Sequence, residues 1–172
     1  MVGLRVLAAG LTFAISLVGS ACSSKQTTAT PVERPAISIS TTAAYRQPSA
    51  SAIAEHLRSQ IAAITKVVTI TENNDPNNLI GRPTGYVDAA VAYDSATICL
   101  DLGSDCGAMV EVWPTPEAAQ QRANYIAALQ QASPILGTEY HHLRGPVLLR
   151  VTGDIKPSVN AEYATAFAES GV

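Results

Sequence analysis

The first 22 residues limit how much of this 172-residue chain is available to fold. Arg5 supplies a basic start, residues 6–18 are apolar, and the small residues 19–21 come directly before Cys22. An apolar stretch of this length is shorter than the roughly 20 residues of a membrane-spanning helix, and it is typical of a secretory signal peptide. We therefore expect residues 1–21 to be removed and the folded part of the protein to lie further along the chain.

The position of Cys22 directly after small residues resembles the lipobox of bacterial lipoproteins. Gly19 stands where the usual lipobox has leucine, so ordinary secretion with a cut near Ala21 is the alternative. The resemblance implies diacylglycerol on the Cys22 sulfur, often with a further acyl chain such as palmitate on the new amino terminus. Two chains already make a stable anchor. We therefore predict a lipoprotein on the outer face of the cytoplasmic membrane, with the membrane as its partner through Cys22.

Composition separates a tether from a single domain. Residues 22–48 contain the lipidated cysteine and a Ser-, Thr-, Ala- and Pro-rich stretch without hydrophobic periodicity, which is typical of a flexible linker. Residues 49–172 are enough for one domain with its own core. The net charge of -3 is not the basic footprint of a nucleic-acid-binding protein, so we expect no nucleic-acid partner.

Two further cysteines lie within the predicted domain. Cys99 and Cys106 flank a turn rich in Gly, Asp and Ser. An exported domain sits where disulfides persist, and opposed positions on paired strands bring Cβ atoms close to the separation that a disulfide needs. We therefore predict a structural disulfide. A redox or metal-binding pair is the alternative, which the lack of CxxC spacing and of a nearby histidine disfavours.

Apolar periodicity predicts three helices. The first covers residues 51–66, and its apolar stripe is Ile53, Leu57, Ile61, Ile64 and Val68. The second is capped by Thr115, has Pro116 in its first turn and runs to about Gln131. The third opens at Pro157, and its apolar side is Val159, Tyr163, Ala166 and Phe167.

Strand patterns fill the spaces between these helices. After the first helix, the β-branched run 67–71 predicts an extended segment. The predicted strands are residues 87–94 with 96–100, residues 108–113, and a hairpin of 138–143 and 147–152. The order αββαββα favours the α+β class, with one antiparallel sheet of about four strands and the helices on a single face.

Four segments together resemble a family of small uncharacterised actinobacterial secreted proteins and lipoproteins. They are residues 75–86, Val110-Glu111-Val112-Trp113, Arg122-Ala123-Asn124-Tyr125-Ile126 and Val147-Leu148-Leu149-Arg150-Val151, within a resemblance that covers roughly residues 65–169. The resemblance implies an exported protein of actinobacterial lineage. It implies no activity, cofactor or binding residue, because the family has none to carry over.

Motifs for catalysis are missing from the sequence. Neither a GxSxG nor an SxxK spacing occurs, and nothing assigns two carboxylates to one cleft. The scattered carboxylates are Glu72, Asp75, Asp94, Glu111 and Asp154. We therefore predict no catalytic residue, no cofactor and no enzyme activity.

Metal sites have two weak candidates. One takes His141 or His142 with Glu139 and either His56 or Asp154, but adjacent strand residues point to opposite faces of a sheet. The other is the loop 72–78, whose oxygens suit Ca²⁺ but which lacks the alternating carboxylates of an EF-hand and is typical of a turn. We predict no metal.

The best ligand-binding candidate is the segment around Arg82. Arg82 and Tyr86 flank a Gly/Pro turn, where the guanidinium is able to clamp a carboxylate or phosphate and the ring to stack on a ligand. The alternative is a buried tyrosine and an arginine that satisfies loop carbonyls. Trp113, at the end of a strand, is predicted to pack in the core or the hairpin.

These observations favour a lipid-anchored, non-enzymatic interaction domain, whose partner is an envelope protein or a cell-wall component. A small-ligand carrier or sensor with a pocket between sheet and helices is the second hypothesis, and an enzyme with an unrecognised site is the third. A prophage-type superinfection-exclusion lipoprotein is a further hypothesis that the residues do not separate from the first. A deep apolar pocket would favour the carrier. An exposed apolar patch would favour the interaction domain.

Overall fold

The computed structural model describes residues 48–171. The predicted signal peptide, the lipid attachment at Cys22 and nearly all of the predicted tether lie outside the described residues. Within that range the helices are α1 (Ala50–Gln60), α2 (Pro116–Ala132) and α3 (Pro157–Glu169). The strands are β1 (Ile64–Thr69), β2 (Asp88–Asp94), β3 (Gly107–Val112), β4 (Glu139–Arg144) and β5 (Val147–Thr152). Short 3₁₀ turns lie at Ser104–Cys106 and Pro134–Leu136.

All five strands form one antiparallel sheet in the order β1-β2-β3-β5-β4. In the register of its central strands, Val91 of β2 lies opposite Met109 of β3, and Val110 of β3 opposite Leu149 of β5. The predicted α+β class with an antiparallel sheet is confirmed. The sheet has one strand more than the four expected, because β1 pairs with β2 along its whole length.

The two faces of the sheet are covered by different helices. On one face Val110 and Leu149 pack against α1 and α3, in a core that includes Leu57 and Phe167. On the other face alternate residues such as Met109 and Leu148 pack against α2 and the segment between β1 and β2. The expectation that all helices share one face is therefore corrected. The central strands are apolar on both sides, so both sides need a cover.

The first helix is shorter than predicted. It ends at Gln60, and the amide of Ile61 closes its last turn on Leu57 O at 2.8 Å. The following β-branched residues form β1 and not a further helical turn, because strand pairing with β2 outweighs the helical spacing of their side chains. Residues 96–100, predicted as strand, form a turn that begins where Asp94 Oδ1 accepts a hydrogen bond from Ala96 N.

Candidate functional site

A groove runs along one side of α2. It consists of two clefts, of about 480 Å³ and about 320 Å³, which both have Arg122 and Tyr125 among their lining residues. The larger cleft continues over the 79–85 segment, Trp113 and Pro114. The smaller one continues along α2 to Leu129 and reaches Leu136 in the following 3₁₀ turn. We call the two clefts together the α2 groove.

Local sequence fixes how α2 presents this side. Thr115 caps the helix, its hydroxyl accepting from Ala118 N at 3.2 Å, and Pro116 occupies the first turn. Ala119, Ala123 and Ile126 are the buried residues of α2. Because residues three and four apart share a helix face, these three side chains are buried together. The adjacent side of the helix, which carries Arg122 and Tyr125, then faces the groove.

The opposite wall is a loop organised by Asp75. Its carboxylate accepts hydrogen bonds from the amides of Asn77, Leu79 and Ile80 at 2.9, 2.6 and 2.8 Å, and from the hydroxyl of Tyr86. Burial on its own raises the pKa of Asp75, but these hydrogen bonds lower it overall. Burial and the same carboxylate raise the pKa of Tyr86. The loop is therefore closed around one ionised carboxylate.

Close backbone packing gives this loop its shape. Gly85 approaches the carbonyl of Leu79 so closely that a Cβ atom would collide with it. Tyr86 then meets Trp113 edge to face, with ring centroids 5.7 Å apart. The loop wall and the Trp113 end of the groove are thus held together by a glycine contact and an aromatic pair.

Charged side chains are buried beneath the groove. Glu111 Oε1 accepts from Arg150 Nη1 at 2.8 Å, and Arg150 also donates to both carboxylate oxygens of Glu139 at 2.7 and 2.8 Å. Glu139 is also hydrogen-bonded to Ser104 at 2.9 Å and His141 at 3.1 Å. Two carboxylates are thus held by one guanidinium in the buried layer between the sheet and α2. We call this set the Arg150 cluster.

Mutual pairing keeps the Arg150 cluster charged. Burial on its own raises the pKa of Glu139, but hydrogen bonds from His141, Arg150 and Ser104 and the positive charge of Arg150 lower it to about 2. Burial also disfavours the charged form of Arg150, yet Glu139 and Glu111 raise its pKa above the ordinary value. The cluster is therefore a set of ion pairs and not of neutral hydrogen bonds.

Arg122 connects the Arg150 cluster to the groove. Its Nη2 donates to Asn77 Oδ1 at 2.9 Å, and its Nε lies 3.5 Å from Glu111 Oε2. That Nε is buried and makes no hydrogen bond to any residue in the range 48–171. Glu111 Oε2 instead accepts from Trp113 Nε1 at 3.1 Å. Arg122 lines both clefts. Its Nη2 is used by Asn77 and its Nε lies beside Glu111, so Nη1 carries the donors that make no hydrogen bond in the described part of the chain.

Apolar side chains extend the groove beyond its clefts. Tyr125 is 58% exposed, Leu129 40% and Leu136 55%, and all three line the smaller cleft. Ile135, next to Leu136 in the 3₁₀ turn, is 92% exposed. We call these four residues the apolar rim. Three of them share the smaller cleft with Arg122, so exposed apolar side chains lie beside that cation.

Arg82 and Tyr86, the predicted ligand-binding pair, lie in different environments. Tyr86 is buried and its hydroxyl is bound to Asp75. Arg82 is exposed, donates to Asn78 Oδ1 at 3.0 Å and lines a separate polar cleft with Glu72. Ligand binding by the pair stays a prediction, but the two side chains do not form one surface, because Tyr86 points into the core.

The two histidines of β4 lie on opposite faces, as the alternation of strand residues predicts. His141 is bound to Glu139 at 3.1 Å, and His142 contacts Asn160 Oδ1 of α3 at 2.8 Å. Asp75 lies in the 72–78 loop, which the sequence favours as a turn over a Ca²⁺ site, and its carboxylate accepts backbone amides. Over residues 48–171, no group of three or more His, Cys, Asp or Glu side chains is arranged to hold a metal ion.

The cysteines of the predicted pair lie at disulfide-bonding distance. Cys99 and Cys106 have Cα atoms 4.2 Å apart. They are not opposed strand residues, since Cys99 lies in the turn after β2 and Cys106 in the 3₁₀ turn before β3. The pair closes a loop in which Leu100 is exposed, and Ile98, directly before Cys99, is exposed as well.

Sequence patterns did not single out Arg122, Tyr125 or the apolar rim as functional residues. Their partners are distant in the chain: Asn77 and Arg122 are 45 residues apart. One local signal was available, because Glu111 and Arg150 are charged residues within otherwise apolar strands. Such residues are almost never buried unless paired, so they indicate a buried polar network.

No protein-family model, no curated protein and no solved structure matches this chain. Between residues 48 and 171, no helix is both long and apolar enough to cross a membrane. The function is therefore argued from the groove and its residues.

Proposed function

We propose that this protein is a lipid-anchored, non-enzymatic binding domain at the outer face of the cytoplasmic membrane, and that it captures a protein of the cell envelope in the α2 groove. The observation that carries the proposal is the continuity of the groove with the apolar rim. Tyr125 belongs to both clefts, and Leu129 and Leu136 extend the same surface outward. Protein partners, unlike small ligands, cover areas of this kind.

The chemistry of the rim supports recognition of a protein. Soluble proteins rarely expose contiguous apolar patches, and those they expose are often binding sites. Tyrosine and arginine are the residue types enriched where interfaces concentrate their energy. Tyr125 and Arg122 supply both types at the point that the two clefts share.

The Arg150 cluster supports binding without catalysis. Arg150 is bound by both Glu111 and Glu139, at distances of 2.7–2.8 Å. A catalytic acid or base needs a pKa near the working pH, whereas pairing holds the pKa of Glu139 at about 2. These residues give the groove a rigid floor, which lowers the entropy cost of binding.

Membrane attachment rests on the N-terminal sequence. Cys22 follows an apolar stretch and small residues in the arrangement of a lipoprotein signal. Diacylglycerol on that cysteine would hold the domain at the membrane without a membrane-binding surface of its own.

One observation favours a second candidate function. The larger cleft, at about 480 Å³, has the size of a small-molecule site and is lined largely by apolar groups such as Trp113 and Pro114. A carrier or sensor of a small apolar ligand would use this cleft alone. The binding domain needs the apolar rim and the carrier does not, because a ligand confined to the larger cleft does not reach Leu136.

Site-specific photo-crosslinking in cells tests the proposal. The full chain is expressed in an actinobacterial host with a photoreactive phenylalanine analogue in place of Tyr125, and in a matched strain in place of Glu162. Glu162 is also exposed but lies on α3, against the other face of the sheet. We expect a discrete crosslinked protein at position 125 and none at 162.

The crosslink must also depend on the rim. Leu136→Asp leaves the larger cleft intact, and its side chain is exposed, so the fold is expected to survive. A crosslink that disappears with Leu136→Asp supports the binding domain. Absence of crosslinks at 125, or equal crosslinks at 125 and 162, would overturn it. Co-purification of a small apolar ligand that Leu136→Asp does not affect would favour the carrier.

A further inference from the structure

Resting on the proposed function, we infer the chemistry of the partner: a peptide segment that presents a carboxylate beside apolar side chains, with Arg122 receiving the carboxylate. The larger cleft has one formally charged lining residue, and that residue is Arg122. In the smaller cleft, Glu139 and Arg150 are already bound to each other. The cation with unused donors thus determines which charge the groove accepts.

The hydrogen bonding of Arg122 supports this inference. A guanidinium has five N–H donors in a planar fork that matches a carboxylate. Within the described residues Arg122 makes one hydrogen bond, to Asn77, and its buried Nε makes none. The nearest carboxylate, Glu111, receives its shorter contacts from Arg150 and Trp113. The buried Nε cannot be reached from the groove, so an acceptor from outside would bind the Nη1 donors, which make no hydrogen bond within the described residues.

The length of the groove matches a short peptide. Its α2 residues run from Ala118 to Gln130, which at about 1.5 Å per residue is about 18 Å. An extended chain of about five residues covers that distance. Tyr125 lies between the two ends of the groove. A peptide whose carboxylate is bound in the middle of the groove would therefore place apolar side chains against the apolar rim in one direction and against Trp113 in the other.

A selection experiment tests the inference directly. The full chain, purified in detergent, serves as bait for a display library of random peptides about three times the length of the groove. The best binder is synthesised together with a copy whose Asp and Glu residues are replaced by Asn and Gln. We expect acidic residues flanked by apolar ones in the selected set, and affinity at least about tenfold lower for the amide copy.

Variants of Gln121 test whether the acid is recognised in the groove. Gln121 is exposed and lines the larger cleft next to Arg122, so its replacement leaves packing intact. We expect Gln121→Glu to weaken and Gln121→Lys to strengthen binding of the acidic peptide, each by about threefold to tenfold. Gln120→Glu is the matched control: it carries the same charge on the same helix but lines neither cleft, and we expect no change beyond about twofold.

Failure of the inference is distinguishable from failure of the proposed function through Tyr125→Ala. If Tyr125→Ala abolishes binding while the amide copy and the Gln121 variants bind as well as their parents, the groove binds peptides but the carboxylate inference is wrong. If selected peptides bind Tyr125→Ala normally, the groove is not the site and both proposals are wrong. If no peptide is enriched, the inference is overturned, and crosslinking at position 125 decides the proposed function independently.

Discussion

Glu111 on β3 and Arg150 on β5 form a buried ion pair, with 2.8 Å between Oε1 and Nη1 and side-chain exposures of 0% and 9%. They are diagonal neighbours across the two strands, because Arg150 lies opposite Met109 in the register. Both side chains project from the face of the sheet that α2 covers. The same guanidinium also binds Glu139. Two buried carboxylates therefore share Arg150 as their closest ionic partner.

Loss of this cation should be costly. Arg150→Met keeps an unbranched side chain but removes the closest ionic partner of both Glu111 and Glu139. Among the described residues, Glu111 then keeps only Trp113 and the more distant Arg122, and Glu139 only Ser104 and His141. We expect the free energy of unfolding to fall by about 3–5 kcal/mol. Urea denaturation followed by the fluorescence of Trp113, the single tryptophan of the chain, measures it.

The matched control is Arg58→Met. Arg58 pairs with Glu55 at 3.1 Å, but both side chains are about half exposed. Exposed pairs contribute about 0–1 kcal/mol, so this variant should unfold close to the parent. Equal losses in the two variants would contradict the importance assigned to burial.

Stability should also depend on pH through Glu139. Its pKa falls from an ordinary 4.5 to about 2 in the folded protein. A carboxyl with a depressed folded pKa stabilises above its unfolded pKa, and this stabilisation is lost as pH falls from about 5 toward 2. We expect a decrease of up to about 3 kcal/mol in the free energy of unfolding across that window. Glu139→Gln should flatten the dependence, and Asp75 should leave a residual slope of the same sign. An unchanged slope would show that Glu139 does not titrate in this way.

Much of the fold was predictable where the deciding interactions are local. Thr115 and Pro116 mark the start of α2, and Gly145 the β4–β5 turn, at the positions that capping and turn chemistry indicate. β1 was harder to predict, because an apolar stretch next to a helix fits both the helical and the strand periodicity. Pairing with β2 decides it, and that contact is not local.

The site was less predictable than the fold for the same reason. Arg122 and Tyr125 are three residues apart on an otherwise polar helix side, which alone indicates a solvent-exposed face. They line a groove only because Gly85 lets the loop pack closely on the Leu79 carbonyl, on the opposite side of the cleft. Similarly, β3 and β5 are apolar on both faces, which predicts that other elements cover both faces of the sheet. This pattern does not predict which helix covers which face.

The predicted ligand-binding pair should separate on mutation. Tyr86→Phe removes the hydroxyl that Asp75 accepts and leaves a partly buried carboxylate short of one donor. We expect it to lower the free energy of unfolding by about 1–3 kcal/mol. Arg82→Ala removes an exposed side chain that donates a hydrogen bond to Asn78, and it should change the free energy of unfolding by less than about 0.5 kcal/mol. Thermal melting of both variants checks this. A large loss for Arg82→Ala would make it a structural residue.

The disulfide can be tested by mass and by stability. Intact exported protein should be two hydrogens lighter than its reduced form, because Cys99 and Cys106 are bonded. Replacing both with serine should lower the free energy of unfolding by about 2–3 kcal/mol on the chain-entropy argument for a short loop. Two free thiols counted under denaturing, non-reducing conditions would refute the bond.

Lipid attachment at Cys22 is the basis of the proposed location. In a host with lipoprotein processing, the exported chain should begin at Cys22 and carry acyl mass on it, because the residues before it resemble a cleavable lipoprotein signal. Two acyl chains bind a bilayer stably, so the protein should partition into detergent and remain with membranes. Cys22→Ala should remove the acyl mass and either leave the precursor uncut or release the domain. Cys22→Ala protein that is cut normally and is retained on membranes as well as the parent would refute the lipid anchor.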